Sequence, residues 1–342
     1  MLSAMPVNAE GFRIKGDVNA DGVFDVADVV LLQKWLLAVP DTHLENWQAA
    51  DLCKDNRLDV FDLCLMKREL IYASEAVHIT SPACKAAAFA CADAGELLYY
   101  DNINEHIAPA SLTKLLTASV ALHYLSPDTV VTVGSEQSLV RSGSSLCLIR
   151  PGHKLKLYDL LTGMLMASGN DAAYVLAAAA GERISEGEVS GCEALPLFLA
   201  FMNEYGRSIG LKDTHFTVPD GLAGAEHYTT LEDIVLIGKA AMNCPLIRRY
   251  ASTAHDEVTY ESGHQNTWTN TNPLLRPDSP WYRPAVTGLK TGYLRHNSCI
   301  LLSVEAKESY YLVGLFGAED SDTRCADATM IVDRLTESEA AQ

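Results

Sequence analysis

Apolar residues recur at helical spacing over several long stretches of the chain. One pattern begins at Ile107 and reads IAPASLTKLLTASVALHYL, with Pro109 near its start. Two further apolar runs flank Ser168 in LKLYDLLTGMLMASGNDAAYVLAAAA, and FLAFMNEYGRSIGL is amphipathic. The segment HYTTLEDIVLIGKAAMNCPLI predicts another helix, with Thr229 or Thr230 as its N-cap.

Patterns typical of strands lie on both sides of this helical region. The segment AAAFACADAGELLYYDN predicts a hairpin around the turn Asp93-Ala94-Gly95. Later, AVTGLKTGYL, SCILLSVEAK and YYLVGLFGA predict three consecutive strands, followed by a helix from about Asp322 to Leu335. Strands at both ends with helices between them predict an α+β fold whose antiparallel sheet pairs the N- and C-terminal segments.

The first seventy or so residues contain a repeat. From Asp17 to Asp28, oxygen-bearing side chains occupy positions 1, 3, 5, 9 and 12, with Gly22 at the turn and the helix VVLLQKWLL directly after. This is the spacing of an EF-hand-type calcium loop. The segment from Asp51 to Asp62 repeats the arrangement 34 residues later and is followed by LCLMKRELI. Two copies in register favour a pair of calcium loops over ordinary solvated turns.

Composition narrows the class of protein. A chain of 342 residues is long enough for more than one domain. Its formal net charge of −18 argues against a nucleic acid or an anionic membrane as partner, because both need a basic face. No apolar run reaches the roughly 18 residues of a membrane span. The nine cysteines, an odd number without a C-x-x-C pair, indicate neither a disulfide framework nor a zinc site.

The N-terminus has no basic segment before its apolar residues. The step Val7-Asn8-Ala9 nevertheless resembles the end of a secretory cleavage site. Residues 1–11 are therefore interpreted as a possible signal-peptide remnant, with a plain disordered terminus as the alternative.

Ser111 and Lys114 stand three residues apart at the start of the helix predicted from Ile107. On a helix these positions share a face, so the hydroxyl and the amine meet. The positive end of the helix disfavours a second positive charge and lowers the pKa of a lysine. A partly neutral lysine can take the proton of a neighbouring serine, which makes the serine a nucleophile.

Two more short motifs follow in the chain. Ser168-Gly169-Asn170 lies between two predicted helices, and Lys290-Thr291-Gly292 lies on a predicted strand. S-x-x-K, S-x-N and K-T-G in this order are the signature of penicillin-binding proteins and class A β-lactamases. The segments that surround the motifs are APASLTKLLTA, LYDLLTGMLMASGNDAA, FMNEYGRSIGLKDTHF, VPDGL, HYTTLEDI, TNTNPLL and TGLKTGY. Over roughly residues 84–335 they resemble the low-molecular-mass serine D-Ala-D-Ala carboxypeptidases, of the peptidase S11 type.

This resemblance implies a fold and a reaction. The fold is a β-lactamase/penicillin-binding-protein-like catalytic domain, in which an antiparallel sheet packs against helices. The reaction is removal of the terminal D-Ala from peptidoglycan stem peptides through an acyl-serine intermediate, with β-lactam antibiotics as inhibitors and no cofactor for catalysis. The catalytic residues it implies are Ser111, Lys114, Ser168, Asn170 and Lys290, and the substrate-binding residues are Thr291, Gly292 and Tyr293.

The implied roles are distinct. Lys114 is the general base, and Ser168 passes a proton to the departing D-Ala. Asn170 holds a substrate amide, and the backbone N–H groups of Ser111 and Tyr293 form the oxyanion hole. The positive charge of Lys290 lowers the Lys114 pKa and attracts the terminal carboxylate, to which Thr291 donates a hydrogen bond. Gly292 lets the substrate backbone lie close to the strand.

The sequence departs from the family pattern at one place. After the third motif, Leu294-Arg-His-Asn297-Ser298 stands where the family usually has Thr-x-x-Ala-Gly.

Three other functions remain as alternatives: a β-lactamase, a D-Ala endopeptidase and an inactive wall-binding module. A class A β-lactamase needs a Glu-x-x-x-Asn segment, whereas Glu204 is followed at that spacing by Ser208. The intact motif set argues against an inactive module.

The duplicated loop and helix resemble a type I-like dockerin over residues 12–73, with Asp rather than Glu at position 12 of each loop. The resemblance implies structural Ca²⁺ in both loops and docking onto a cohesin module of a cellulosome-type scaffolding protein. The implied calcium ligands, with Val23 and Arg57 acting through their carbonyls, are Asp17, Asn19, Asp21, Val23, Asp25, Asp28, Asp51, Asp55, Arg57, Asp59 and Asp62. The implied partner-binding residues are Val26, Ala27, Lys34, Val60, Phe61, Lys67 and Arg68. Cys53 at an oxygen-ligand position, and Asn56 in place of the turn glycine, predict a weaker second site.

Together these patterns divide the chain. We expect the remnant at 1–11, the dockerin at 12–73, a linker at 74–82, the catalytic domain at 83–336 and a tail at 337–342. The two resemblances imply an extracytoplasmic protein, secreted or associated with the cell wall or a scaffold. In that setting we expect the dockerin to take over the anchoring role.

Overall fold

The structure is a computed structural model that describes residues 13–75, 84–91, 96–295, 297–306 and 308–336. The possible signal remnant, most of the predicted linker, the turn Asp93-Ala94-Gly95 and the predicted tail lie outside the described residues. Within the described part of the chain, no helix combines the length and the apolar character needed to cross a membrane.

The regular elements are numbered in chain order. The strands are β1 (Arg13–Ile14), β2 (Ala86–Cys91), β3 (Glu96–Asp101), β4 (Val130–Thr132), β5 (Lys154–Lys156), β6 (His255–Thr259), β7 (Gln265–Thr269), β8 (Val286–Leu294), β9 (Asn297–Ala306) and β10 (Ser309–Ala318). The helices are α1 (Val26–Leu36), α2 (Val60–Glu75), α3 (Thr113–Tyr124), α4 (Leu157–Leu165), α5 (Asn170–Ile184), α6 (Leu195–Ser208), α7 (Leu231–Met242), α8 (Pro245–Ser252) and α9 (Ser321–Thr336).

The N-terminal unit consists of the two predicted loops and the helices that follow them, α1 and α2. Asp25 caps α1, and Asp28 completes a capping box by accepting the N–H of Asp25. A small apolar core holds the two helices together, formed by Val18, Val29, Leu32, Leu44, Ala50, Leu63 and Met66. Helix α2 continues to Glu75, two residues beyond the dockerin boundary predicted from the sequence.

The larger unit is built on a six-stranded sheet in the order β1-β3-β2-β10-β9-β8. Strand β2 pairs antiparallel with β10, so the N- and C-terminal segments meet as the sequence predicts. The three strands predicted near the C-terminus are β8, β9 and β10. Strand β1 joins β3 in parallel, with Arg13 opposite Glu96, and was not predicted. The two residues of β1, just before the first loop, are therefore paired with β3 at the edge of this sheet.

The central strands are buried on both faces, which explains their continuous apolar sequences. Along β10, Leu312 belongs to the core shared with the helical layer, whereas Val313 belongs to the core beneath α9. Strand β9 alternates in the same way, with Leu301 on the first side and Leu302 on the second.

The helical layer places α3 at the centre of the larger core. Leu115, Leu116 and Ala118 of α3 are fully buried. Helix α7 begins at the predicted cap, where the Thr230 hydroxyl accepts the N–H of Asp233. The start of α3, the start of α5 and the middle of β8 meet where the three sequence motifs lie.

Candidate active site

The nucleophile lies in a tight turn that leads into α3. Ala110, Ser111 and Leu112 form a single 3₁₀ turn, and Ala110 has a left-handed backbone with φ +49°. The loop of the VPDGL segment packs against this turn at Gly221. A side chain at position 221 would collide with the carbonyl oxygen of Ala110, and the φ of +86° also favours glycine.

Lys114 is completely buried, and its Nζ has three oxygen neighbours. They are the Oγ of Ser111 at 2.7 Å, the Oδ1 of Asn170 at 2.8 Å and the carbonyl oxygen of Asp220 at 2.8 Å. A neutral amine has two N–H bonds and one lone pair. The amide and carbonyl oxygens can only accept, so they take the two N–H bonds. The lone pair is left for the hydroxyl proton of Ser111, which is the geometry of a general base.

Burial is the main cause of the altered lysine pKa values. It lowers the pKa of Lys114 to about 8, against the raising effect of the nearby Asp220 and Asp171 charges. Burial lowers the pKa of Lys290 well below its ordinary value, and the charge of Lys114 lowers it further. The Lys114 shift, expected from the helix start and from Lys290, is caused mainly by burial.

The second motif lies at the start of α5. Ser168 is buried and left-handed, with φ +57°, and its side chain lines the same cavity as Ser111. The Nδ2 of Asn170 donates to the Oγ of Ser144 at 3.0 Å, while its Oδ1 accepts from Lys114. The amide of Asn170 is therefore fixed in orientation by a donor and an acceptor on opposite sides.

The third motif lies on β8 beside the nucleophile turn. The Oγ1 of Thr291 is 2.7 Å from the Oγ1 of Thr271, and the Nζ of Lys290 donates to the carbonyl of Thr291 at 3.1 Å. A Cβ at Gly292 would lie 2.5 Å from the Sγ of Cys299 and 3.0 Å from the Cβ of Ala110. Glycine is thus required mainly by the side chain of Cys299 on the neighbouring strand β9 and, less tightly, by the nucleophile turn at Ala110. The approach of the substrate, expected from the sequence, is a separate reason for glycine at this position.

The motifs enclose a cavity of about 220 Å³. Six of the eight residues predicted for catalysis and substrate binding line it: Ser111, Ser168, Asn170, Thr291, Gly292 and Tyr293. Lys114 and Lys290 lie behind this lining and are buried. No carboxylate belongs to the cavity lining within the described residues, and Glu204 is exposed on α6.

Arg324 is a site residue that the sequence analysis missed. It lies in the first turn of α9, is 3% exposed and lines the cavity. Its Nη1 donates to the Oγ of Ser298 at 3.0 Å and to the carbonyl of Cys299 at 3.3 Å. Its Nε has no hydrogen-bond partner among the residues that the structure describes. Ser298 belongs to the segment that departs from the family pattern, and this departure was the only signal in the sequence.

A buried histidine contacts the first residue of the nucleophile helix α3. The Nδ1 of His227 accepts the N–H of Thr217 at 3.0 Å, so the proton resides on Nε2 and is donated to the Oγ1 of Thr113 at 2.9 Å. Burial lowers the pKa of His227 to about 4. This residue is therefore neutral at pH 7 and acts in positioning.

The two N-terminal loops share one pattern of hydrogen bonds. Asp28 accepts the N–H of Val18 and Asp25, and Asp62 accepts the N–H of Cys53 and Asp59. The remaining loop carboxylates, Asp17, Asp21, Asp25, Asp51, Asp55 and Asp59, likewise accept loop N–H groups. Among the described residues, no three His, Cys, Asp or Glu side chains stand close enough together to hold a metal ion.

The first loop nevertheless fits a hard dication. The Oδ1 of Asp17 is buried and has no hydrogen-bond partner in the described part of the chain. Burial, followed by the charges of Asp28 and Asp21, raises the pKa of Asp17, so the loop concentrates negative charge that a cation would neutralise. The second loop fits less well, because the thiol of Cys53 is a soft donor.

The predicted partner-binding residues lie mainly on the surface of the N-terminal unit. Val26 and Phe61 are 61% and 68% exposed, and Ala27, Lys34, Val60 and Lys67 are also exposed. The side chain of Arg68 lies outside the described part of the structure. The Nζ of Lys67 lies 3.4 Å from the Oε1 of Gln33, which brings equivalent positions of the two repeats together.

The sheet order and the three converging motifs define a penicillin-binding-protein-like domain preceded by a small helical unit. Residues 74–313 match the family model of the D-alanyl-D-alanine carboxypeptidases of peptidase family S11, and the chain belongs to that family. Residues 15–71 match the dockerin type I domain.

Several characterised proteins are similar to the catalytic part. D-alanyl-D-alanine carboxypeptidase DacF of Bacillus subtilis is 29% identical over 253 residues, covering 73% of this chain and 61% of that protein. DacC of Escherichia coli is 31% identical over 226 residues, covering 63% and 52%. The chain thus spans about half to three fifths of the length of these relatives. The crystal structure of the Streptomyces K15 DD-transpeptidase is 26% identical with a TM-score of 0.66, covering 73% of this chain and 96% of that one.

Proposed function

We propose that the protein is a serine D-Ala-D-Ala carboxypeptidase that removes the terminal D-Ala from peptidoglycan stem peptides. One observation carries the proposal: the Nζ of Lys114 contacts the Oγ of Ser111 while two acceptors saturate its other positions. The names of the relatives and the family match support the same substrate class.

In the first half-reaction, Ser111 attacks the carbonyl carbon of the penultimate D-Ala, and Lys114 takes the hydroxyl proton. The N–H groups of Ser111 and Tyr293 stabilise the oxyanion, at typically about 3 kcal/mol for each donor. Collapse of the tetrahedral intermediate breaks the peptide C–N bond. Ser168 passes a proton to the departing amine, which leaves as D-Ala.

The substrate carboxylate needs a cation and a hydroxyl at the far end of the cavity. Arg324 supplies the cation and has an unused N–H, and Thr291 supplies the hydroxyl. Lys290 is buried behind the cavity lining, whereas Arg324 is part of it, so we assign the carboxylate primarily to Arg324.

In the second half-reaction, a water molecule attacks the acyl carbonyl, and the chain of Lys114 and Ser168 returns a proton to Ser111. The described cavity lining contains no carboxylate to activate this water. This favours slow hydrolysis of a penicilloyl-enzyme and therefore a carboxypeptidase over a class A β-lactamase. A D-Ala endopeptidase would use the same acyl chemistry on a crosslinked peptide.

The test combines intact-protein mass spectrometry with a product assay. Wild type incubated with benzylpenicillin should form a long-lived adduct of one penicilloyl group, and Ser111→Ala should form none. Wild type should release D-Ala from diacetyl-Lys-D-Ala-D-Ala. Rapid drug turnover would indicate a β-lactamase, release only from crosslinked muropeptides would indicate an endopeptidase, and no adduct at all would refute an acyl-serine enzyme.

For the N-terminal unit we infer that the dockerin binds Ca²⁺ and docks the enzyme outside the cytoplasm onto a cohesin module of a scaffolding protein. The dockerin match, the repeated loops and the exposed apolar positions Val26, Val60 and Phe61 support this role. Ca²⁺, when bound, supplies structural rigidity, and Val23 and Arg57 would contribute carbonyl oxygens to the two sites.

Calorimetric titration of the full chain with Ca²⁺ tests the dockerin, alongside binding to type I cohesin modules with and without EDTA. We expect Ca²⁺ to protect residues 13–75 in hydrogen exchange and cohesin binding to require it. Unchanged hydrogen exchange together with no cohesin binding would contradict the docking role and leave the carboxypeptidase proposal unaffected.

A further inference from the structure

A second cavity, of about 570 Å³, opens beside the active-site cavity. The linings of the two cavities share Gly143 and Ser144, so one ligand can extend through both. We call the second cavity the loop pocket. Its walls come mostly from the segment 137–150 and include Arg141, Leu146 and Leu148.

The wall of the loop pocket is fixed to the second catalytic motif. The carboxylate of Asp171, next to Asn170, accepts the N–H of Cys147 at 2.9 Å and of Ile149 at 3.1 Å. Leu148 lies between these two anchored residues with φ +65° and is 63% exposed. Leu146 is 44% exposed. Two apolar side chains are thus held in contact with solvent at the rim of the active site.

The loop pocket also presents positive charge in a chain of net charge −18. Two arginines, Arg141 and Arg150, line the pocket and are exposed, and the guanidinium of Arg141 has no hydrogen bond or ion pair to the described residues. Arg141 precedes Gly143 and Ser144, which line both cavities, so it belongs to the part of the pocket that adjoins the active site. Asp171 is the one acidic residue of the described lining, and it is buried and bonded to N–H groups.

The position of the pocket identifies which part of a substrate reaches it. Arg324 and Thr291 hold the terminal carboxylate at one end of the active-site cavity, with Ser111 at the scissile carbonyl. The acyl side of the substrate therefore continues past Asn170 and Ser144 towards the loop pocket.

We propose that the loop pocket is a specificity subsite for the part of the acyl donor that precedes D-Ala-D-Ala. It takes a side chain with an alkyl stem and a terminal carboxylate. The stem lies on Leu146 and Leu148, and Arg141 binds the carboxylate. This subsite deepens the proposed carboxypeptidase function and rests on it.

A matched pair of penicillins tests the subsite without requiring peptide turnover. One carries an adipyl side chain, which ends in a carboxylate, and the other carries the side-chain methyl ester. Wild type should be acylated at Ser111 about tenfold faster by the free acid, and added salt should reduce this preference. Arg141→Gln should abolish the preference. Arg207→Gln, which removes an exposed charge on α6 outside both cavities, should retain it.

Equal acylation rates in wild type would overturn the proposal, and so would a preference that survives Arg141→Gln. Release of D-Ala is measured separately, on acetyl-Lys-D-Ala-D-Ala peptides whose lysine side chain carries a succinyl or an acetyl group. If the penicillin preference holds but neither peptide releases D-Ala, the carboxypeptidase proposal fails while the subsite stands.

Discussion

The protonation state of Lys114 makes a quantitative prediction about the rate of acylation. Only the neutral amine can accept the Ser111 proton, and the pKa of Lys114 is about 8 because the amine is buried. At that pKa about one amine in ten is neutral at pH 7 and about nine in ten at pH 9. The second-order rate of acylation by benzylpenicillin should therefore rise roughly tenfold between these pH values, with its half-point near pH 8.

Quenched-flow intact-mass measurements give this rate directly, since the adduct is covalent. Lys114→Arg serves as the comparison, because a guanidinium remains protonated throughout this range and cannot act as the base. We expect it to reduce acylation by at least about 10²-fold at every pH. Circular dichroism at each pH controls for unfolding. A rate that is flat or falls between pH 7 and 9 would show that neutral Lys114 is not the base.

Three further changes test other parts of the structure. Gly292→Ala should slow benzylpenicillin acylation about 10²-fold, because the added Cβ would clash with the Sγ of Cys299 and displace β8 where it borders the nucleophile turn. Adding Cys299→Ala, which removes the closest atom, should restore part of the rate, and no restoration would refute the steric explanation. Cys53→Asp should strengthen the second calcium site, seen by calorimetry as tighter binding at a second equivalent of Ca²⁺; unchanged affinity would contradict the assigned ligand position. Burial raises the pKa of Asp159 from 3.8 to about 6, so the folded state binds the proton more tightly than the unfolded state does. The stability of the fold therefore falls as the pH rises from about 4 to about 6. Asp159→Asn should therefore raise the Tm at pH 7.5 by about 2–4 °C and leave it unchanged at pH 4, and equal shifts at both pH values would refute this.

The sequence predicted the elements that have strong periodicity and clear ends. Helix α7 starts directly after Thr230 because this hydroxyl cap precedes an acidic first turn, and that signal is local. Strands β9 and β10 were predictable because burial on both faces leaves continuous apolar runs. The short strands β6 and β7 were not, since their side chains are mostly exposed and polar. Strand β1 has two residues and no pattern at all.

The contacts in the site that depend only on spacing along the chain could be predicted from the sequence. Ser111 and Lys114 lie one helical turn apart, so their contact follows from sequence. The cause of the lowered Lys114 pKa could not be predicted from the sequence. The amine is buried by segments that are far apart in the chain, among them the one that contributes the carbonyl of Asp220. Arg324 was missed for the same reason: α9 carries no motif, and the arginine reaches the site only because α9 packs against β9.

The departure from the family pattern after the third motif can now be explained physically. The family usually has Gly where this chain has Ser298, and the added hydroxyl accepts a hydrogen bond from Arg324. Because Arg324 lines the cavity while Lys290 is buried behind it, the orientation of the guanidinium decides how the substrate carboxylate is bound. Ser298→Gly should raise the KM for a D-Ala-D-Ala peptide several-fold, and leave that for a peptide ending in D-Ala-D-Ala-amide unchanged. In an Arg324→Leu background the same substitution should have no effect on either substrate. An effect of Ser298→Gly that persists without Arg324 would show that the serine acts on the hairpin rather than on the guanidinium.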